Sequence, residues 1–179
     1  VQHVLTDSAR GATKELNSDA TAEETTVAQG VKSFDTSGYT LGTDGNYNTS
    51  SSPNVAWCWN TQGGAGSSNT DGTINTTTTS VGTTQGMSIS TYTGNGTDPA
   101  SIGHGLGVTP ELVMVKGRST SGVEAWAVWH KDLTDNTYKL ALNGNFAEAT
   151  GDVYWSNDDH TSSLVSLGSN TTVNKSGGT

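Results

Sequence analysis

The feature that most constrains this chain is its rhythm: short runs of alternating or wholly apolar residues, each closed by a turn of Gly, Asn, Asp or Ser. Val31 to Phe34 and Tyr39 to Leu41 flank Asp35-Thr36-Ser37-Gly38, a four-residue turn. Met87 to Tyr92 alternates and stops at Thr93-Gly94-Asn95-Gly96. Leu112 to Val115 follows Pro110, whose fixed φ suits the start of a strand. Ala125 to Trp129 alternates, with Trp126 and Val128 on one face and Ala127 and Trp129 on the other. Tyr138 to Leu142, Val153 to Trp155 and Leu164 to Leu167 continue the pattern. Val55-Ala56-Trp57-Cys58-Trp59 is a continuous apolar run, expected as a strand buried on both faces, with Cys58 as a small buried hydrophobe. The helical signal is confined to Ala20 to Gln29, where Thr21 and Glu24 form a capping box. Thr25, Thr26 and Val27 weaken it, because branched side chains lose freedom against a helical turn.

These signals predict an all-β fold: an antiparallel β-sandwich or jelly roll with at most one short helix. Composition supports order over disorder. Gly, Ser, Thr and Asn make up roughly half the chain, but charged residues are only 14 % and twelve aromatics (five Trp, five Tyr, two Phe) sit in clusters. Thr fits strands, and Gly, Asn and Ser fit turns. With 31 % hydrophobic residues the core must be thin, and a thin core is easier to stabilise when like units cover it.

Self-similarity supplies the domain plan. Leu41-Gly42 is followed by Asn48, Thr49 and Ser50; Leu167-Gly168 is followed by Asn174, Lys175 and Ser176, at an offset of 126. Leu16-Asn17 matches Leu142-Asn143 at 126, while Lys14 matches Lys139 and Glu23 matches Glu148 at 125. The plan is residues 1–60 as the C-terminal half of one repeat unit, 61–86 as a polar Gly/Ser/Thr-rich connector, and 87–179 as most of a second unit lacking its closing strand. An open edge of this kind invites a strand from a like unit. Val1 in place of Met reads as an excerpt or a processed chain.

A net charge of −9 and a pI near 4.6 disfavour nucleic acid and anionic membrane as partners. No apolar stretch approaches the length of a membrane span. With one cysteine, no intrachain disulfide can form. His3, His104, His130 and His160 have no His or Cys within five residues, so no paired-ligand metal motif is present. Asp152, Asp158 and Asp159 are a weak calcium candidate, without EF-hand spacing; no cofactor is otherwise expected. No Gly-x-Ser-x-Gly elbow or Gly-Lys-Ser/Thr phosphate loop is present, and no catalytic residues are assigned. Sugar binding is the sharpest site hypothesis. It places Trp129, Tyr154 and Trp155 as stacking rings beside Asn157 and Asp158, with Trp155 the most exposed ring and Trp126 in the core.

Several segments resemble a repeat domain of marine bacteriophages. They are Asp7 to Lys14, Ser33-Phe34-Asp35-Thr36-Ser37-Gly38-Tyr39-Thr40-Leu41-Gly42, Val55 to Trp59, Gly103-His104-Gly105-Leu106-Gly107-Val108-Thr109-Pro110-Glu111-Leu112, and Trp126 to Lys131. That domain occurs in large tail-fibre and virion-surface proteins, often beside lectin-like sandwich domains. The resemblance implies a non-enzymatic structural protein of a virion surface, extracellular, forming homo-oligomers or contacting other virion proteins. A glycan-binding adhesin for host attachment is the alternative, and a polysaccharide depolymerase spike the third reading.

Overall fold

The computed structural model describes residues 2–61, 64–119, 124–150 and 152–179. The chain is all-β. β1 (Val4–Leu5), β2 (Lys14–Asn17) and β3 (Thr25–Thr26) form an antiparallel sheet in that order. β4 (Val31–Asp35) and β5 (Gly38–Leu41) make a hairpin closed at Thr36-Ser37, and α1 (Gly45–Asn48) follows. β6 (Thr76–Gly82) and β7 (Met87–Tyr92) form a second hairpin. β8 (Ala100–Gly103) pairs with β13 (Leu164–Leu167). β9 (Leu112–Val115), β10 (Ala127–His130), β11 (Tyr138–Ala141) and β12 (Ala149–Thr150) form a four-stranded antiparallel sheet in the order β12-β11-β10-β9. α2 (Asp152–Trp155) and α3 (Thr171–Asn174) complete the chain. The described strands thus divide over five small sheets, and three one-turn helices stand where at most one was expected.

The core lies in the second half. Val113 of β9 with Ala127 and Trp129 of β10 meet Ala100 and Ile102 of β8 and Val165 and Leu167 of β13. Trp155 of α2, Val173 of α3 and Ile74 close the cluster. The alternation along β10 holds, and both of its faces are buried. Ala127 and Trp129 face the core, while the Trp126 indole N–H donates to the Asn17 carbonyl at 2.8 Å and ties the second half to the first. Burying a whole indole removes on the order of 200 Å² from water, so Trp129 and Trp155 dominate the energetics of so small a core.

The β6–β7 hairpin is held differently. Its Thr run was expected as connector, yet Thr76, Thr79 and Ser80 are buried. Their hydroxyls pair sideways: Thr76 with Thr79 at 2.8 Å, Thr79 with Ser90 at 3.0 Å, Thr78 with Thr91 at 2.7 Å and Thr61 with Ser80 at 2.9 Å. A buried hydroxyl is tolerated when partnered, so a polar run fills an interior position. The second part of the 61–86 segment is therefore strand and hairpin turn.

Three local expectations are overturned. Ala20 to Gln29 is not helical: Thr25 and Thr26 pair with β2, and the Glu24 carboxylate accepts from Arg10 at 3.2 Å and Arg118 at 3.1 Å instead of capping a helix. Val153 to Trp155 is one helical turn, because a three-residue apolar run fits either period. Val55 to Trp59 is not a buried strand. No described strand pairs with it, and Val55, Trp57 and Trp59 are 82 %, 73 % and 62 % exposed. Cys58 is exposed with them. An apolar run becomes a buried strand only when a neighbouring edge pairs with it, and none of the described strands does so here.

Candidate functional site

The proposed sugar site is rearranged by burial. Trp155, expected as the exposed ring, is 0 % exposed, and Trp129 is buried with it. Both pack edge-on against His160, with ring centroids 5.6 Å and 4.4 Å away. Neither indole offers a face to a ligand. Tyr154 is half-buried, and the Lys139 ammonium lies 4.8 Å above its ring.

His160 is an internal post of the fold. The Ser166 backbone N–H donates to its Nδ1 at 3.1 Å, which leaves its proton on Nε2. Burial, reinforced by His104, lowers its pKa to about 4 against the opposing pull of Asp159. It is neutral at pH 7. His104 is likewise held below its ordinary value by burial. Its Nδ1 accepts from the Leu106 N–H at 3.2 Å, and its Nε2 lies 3.1 Å from the Thr161 carbonyl oxygen.

The acidic turn that precedes His160 is exposed. Ser156 and Asn157 both take positive φ, 65° and 53°, which swings the chain out of α2. Asp158 accepts from the Ser156 hydroxyl at 3.2 Å, Asp159 accepts from the Asn136 side chain at 3.0 Å, and the Asn157 carbonyl accepts from that same side chain at 3.5 Å. Asp158 and Asp159 line an open depression of about 480 Å³ with Thr73, Ser101 and Thr161. Among the described residues, no aromatic ring lines it. Of the residues grouped by sequence, then, the structure brings Trp129 and Trp155 together inside and leaves Asn157 and Asp158 outside. The Asp152 side chain lies outside the described residues. Among the described residues no group of three or more His, Cys, Asp or Glu side chains gathers as a metal would require.

Glu111, Glu124 and Glu148 are each tied to their own chain. Glu111 pairs with Lys131 at 2.9 Å, which lowers its pKa. Glu124 accepts from the Thr171 and Thr172 hydroxyls at 3.2 Å and 2.9 Å. Glu148 accepts from the Thr134 N–H at 3.0 Å and from its hydroxyl, which also lowers its pKa.

A different feature stands out: two arms of the same construction. In the first, β5 runs into Gly42, whose N–H donates to Gly30 at 2.8 Å, and the Asp44 N–H donates to Gln29 at 2.9 Å. Asp44 then caps α1 by accepting from Asn46 N–H at 2.9 Å. In the second, β13 runs into Gly168, whose N–H donates to Tyr154 at 2.8 Å, and the Asn170 N–H donates to Val153 at 2.8 Å. Asn170 caps α3 by accepting from Thr172 N–H at 2.9 Å. Each helix ends in an Asn that bonds back to the glycine: Asn48 Nδ2 to Gly42 O and Asn174 Nδ2 to Gly168 O, both 3.0 Å. Neither glycine could carry a Cβ, which would meet Gln29 O at 2.4 Å or Val153 O at 2.1 Å. The sequence signal for this pair was the Leu-Gly…Asn recurrence; sequence alone did not show which atoms it serves.

No curated protein and no solved structure matches the chain. The family described as "Domain of unknown function (DUF7483)" matches residues 1–178, and the chain belongs to that family.

Proposed function

We propose that this protein is a non-enzymatic structural protein of a virion surface, a tail fibre, appendage or capsid decoration, that assembles with like units through strands and aromatic side chains. The observation that carries the assembly is the exposed Val55–Trp59 run. Trp57 and Trp59 stand 6.3 Å apart with their rings tilted by 53°, and most of both surfaces faces water. Large apolar side chains gathered on a surface mark contact sites. The virion setting rests on the resemblance of motif order to bacteriophage repeat domains, and the net charge of −9 fits a partner that is neither nucleic acid nor anionic membrane.

Two measurements test this. Electron microscopy of the purified chain over a rising concentration series is expected to show ordered fibres or lattices that Trp57→Ser with Trp59→Ser abolishes. Antibodies against the chain are expected to decorate the surface of virus particles from its source. Particles left unlabelled, or a chain that stays monodisperse at every concentration, would overturn the reading. Exposed indoles also suit sugar stacking, so a glycan array on the same two proteins separates adhesion from assembly.

A further inference from the structure

The two arms differ in what lies against them. The second is filled. Strand β8 pairs along β13 from Leu164↔Gly103 to Leu167↔Ala100. The turn before β8 closes on Asn174, which is 1 % exposed. Asn174 Oδ1 accepts from the Asn95 and Gly96 N–H groups at 2.9 Å and 3.3 Å, and Nδ2 donates to Asn95 Oδ1 at 3.2 Å and Thr97 O at 2.8 Å. Gly94 lies so close that a Cβ there would meet Lys175 O at 2.4 Å. Eight residues after β8, strand β9 pairs with β10 through Ala127↔Val115 and Val128↔Met114.

The first arm has the same fittings and no occupant among the described residues. Asn48 is exposed; among the described residues its side chain bonds to Gly42 O alone, and its Oδ1 accepts from no described group. Strand β5 pairs with β4 alone. Backbone groups alternate between the two edges of a strand. The Gly42 N–H faces the β4 side, at Gly30, so Tyr39 and Leu41 direct theirs to the open edge. Val165 and Leu167 stand in the matching places and face β8. β1 is a sheet edge as well. Its antiparallel pairing with β2, Val4↔Asn17 and Leu5↔Leu16, has its counterpart in the pairing of β10 with β11, and β10 is covered by β9.

We infer that the β5–α1 arm is a receptor for a strand-and-turn block, chemically like Thr93–Val115, supplied by another unit of this family. The inference deepens the assembly reading by naming an interface. The occupant is defined by what the filled arm uses: an Asn-Gly-Thr turn with a preceding glycine to satisfy the asparagine amide, a short small-residue strand for β5, and a second strand for β1. The block at Thr93–Val115 is already held by Asn174, so none of the described residues fills the first arm.

Hydrogen exchange read by mass spectrometry tests this on the full chain and on a fusion that carries residues 74–123 directly ahead of Val1. With this junction Val115 stands twelve residues ahead of Val4, the first residue of β1, as it stands ahead of Ala127, the first residue of β10, in the filled arm. In the unfused chain, Tyr39 to Asn48 is expected to exchange far faster than Val165 to Asn174. In the fusion, exchange across Tyr39 to Asn48 is expected to slow by roughly tenfold or more. Asn48→Ala within the fusion is expected to return it to the unfused rate. An excess of a synthetic peptide of residues 93–115, added to the unfused chain, is expected to protect the same amides. Unchanged exchange in both the fusion and the peptide mixture, or protection indifferent to Asn48→Ala, would overturn the inference. Particle labelling does not enter this experiment, so failure of the virion reading and failure of this receptor are told apart.

Discussion

Replacing Asn174 by Ala, beside the same replacement at Asn48, measures what the filled arm contributes. Asn174 makes five side-chain hydrogen bonds: to Gly168, Asn95 twice, Gly96 and Thr97. All lie at a site that is 1 % exposed. Each such bond contributes about 1 kcal/mol net, and buried donors or acceptors left without partners cost about 1–3 kcal/mol more. Relaxation around the cavity recovers part of that sum. Asn174→Ala is therefore expected to destabilise by about 3–5 kcal/mol, a large fraction of the stability of a domain this size. Asn48 makes one such bond, and its site is open to water that replaces the amide. Asn48→Ala is expected to cost about 0.5–1 kcal/mol. Urea unfolding followed by tryptophan emission reads both, because Trp129 and Trp155 sit in the cluster that also contains Val173. Equal costs for the two variants would refute the reasoning, since the two asparagines differ in occupancy and not in local construction.

Three further outcomes follow from the geometry. His160 carries a pKa of about 4 in the fold against an ordinary 6.5, so the unfolded chain binds more protons between those values. Its contribution is complete above pH 6.5 and is lost as pH falls toward 4, with about 2 kcal/mol gone by pH 5; an imidazole NMR titration with a midpoint near 6.5 would contradict it. Trp155→Ala is expected to cost about 3–5 kcal/mol in urea unfolding, whereas a loss under about 1 kcal/mol would mean that the ring is not the core post described. A maleimide added without denaturant is expected to label Cys58 fully and quickly, and protection of the thiol in the monomer would contradict the exposed run.

Much of the strand plan was legible. Met87–Tyr92, Leu112–Val115 and Leu164–Leu167 are strands at the bounds their pattern suggests; Val113 with Val115 and Val165 with Leu167 put apolar side chains on the core side of a pleat, and Tyr92 is the residue of its strand that packs there. Thr76–Gly82 was opaque, because hydroxyls paired across the hairpin fill positions where sequence reading looks for hydrocarbon. Ala100–Gly103 was missed for a related reason: small residues let β13 and Asn69 approach closely and leave little hydropathy to read. One turn of helix separates the rings from Asn157 and Asp158, with which sequence reading grouped them. α2 rolls Trp155 inward, and the two positive-φ residues after it carry Asn157 and Asp158 away from the rings. The Leu-Gly…Asn recurrence was visible as letters, and its meaning lay in backbone hydrogen bonds that letters do not carry.

The hydroxyl-lined β6–β7 hairpin bears on how the molecule responds to cooling. Exposing hydrocarbon raises the heat capacity of unfolding, and exposing polar groups lowers it. With Thr76, Thr79 and Ser80 inside, this hairpin contributes little to that quantity, and its stability curve is correspondingly flat. Such an interior holds its pairing in cold water, where an equally thin greasy one would loosen.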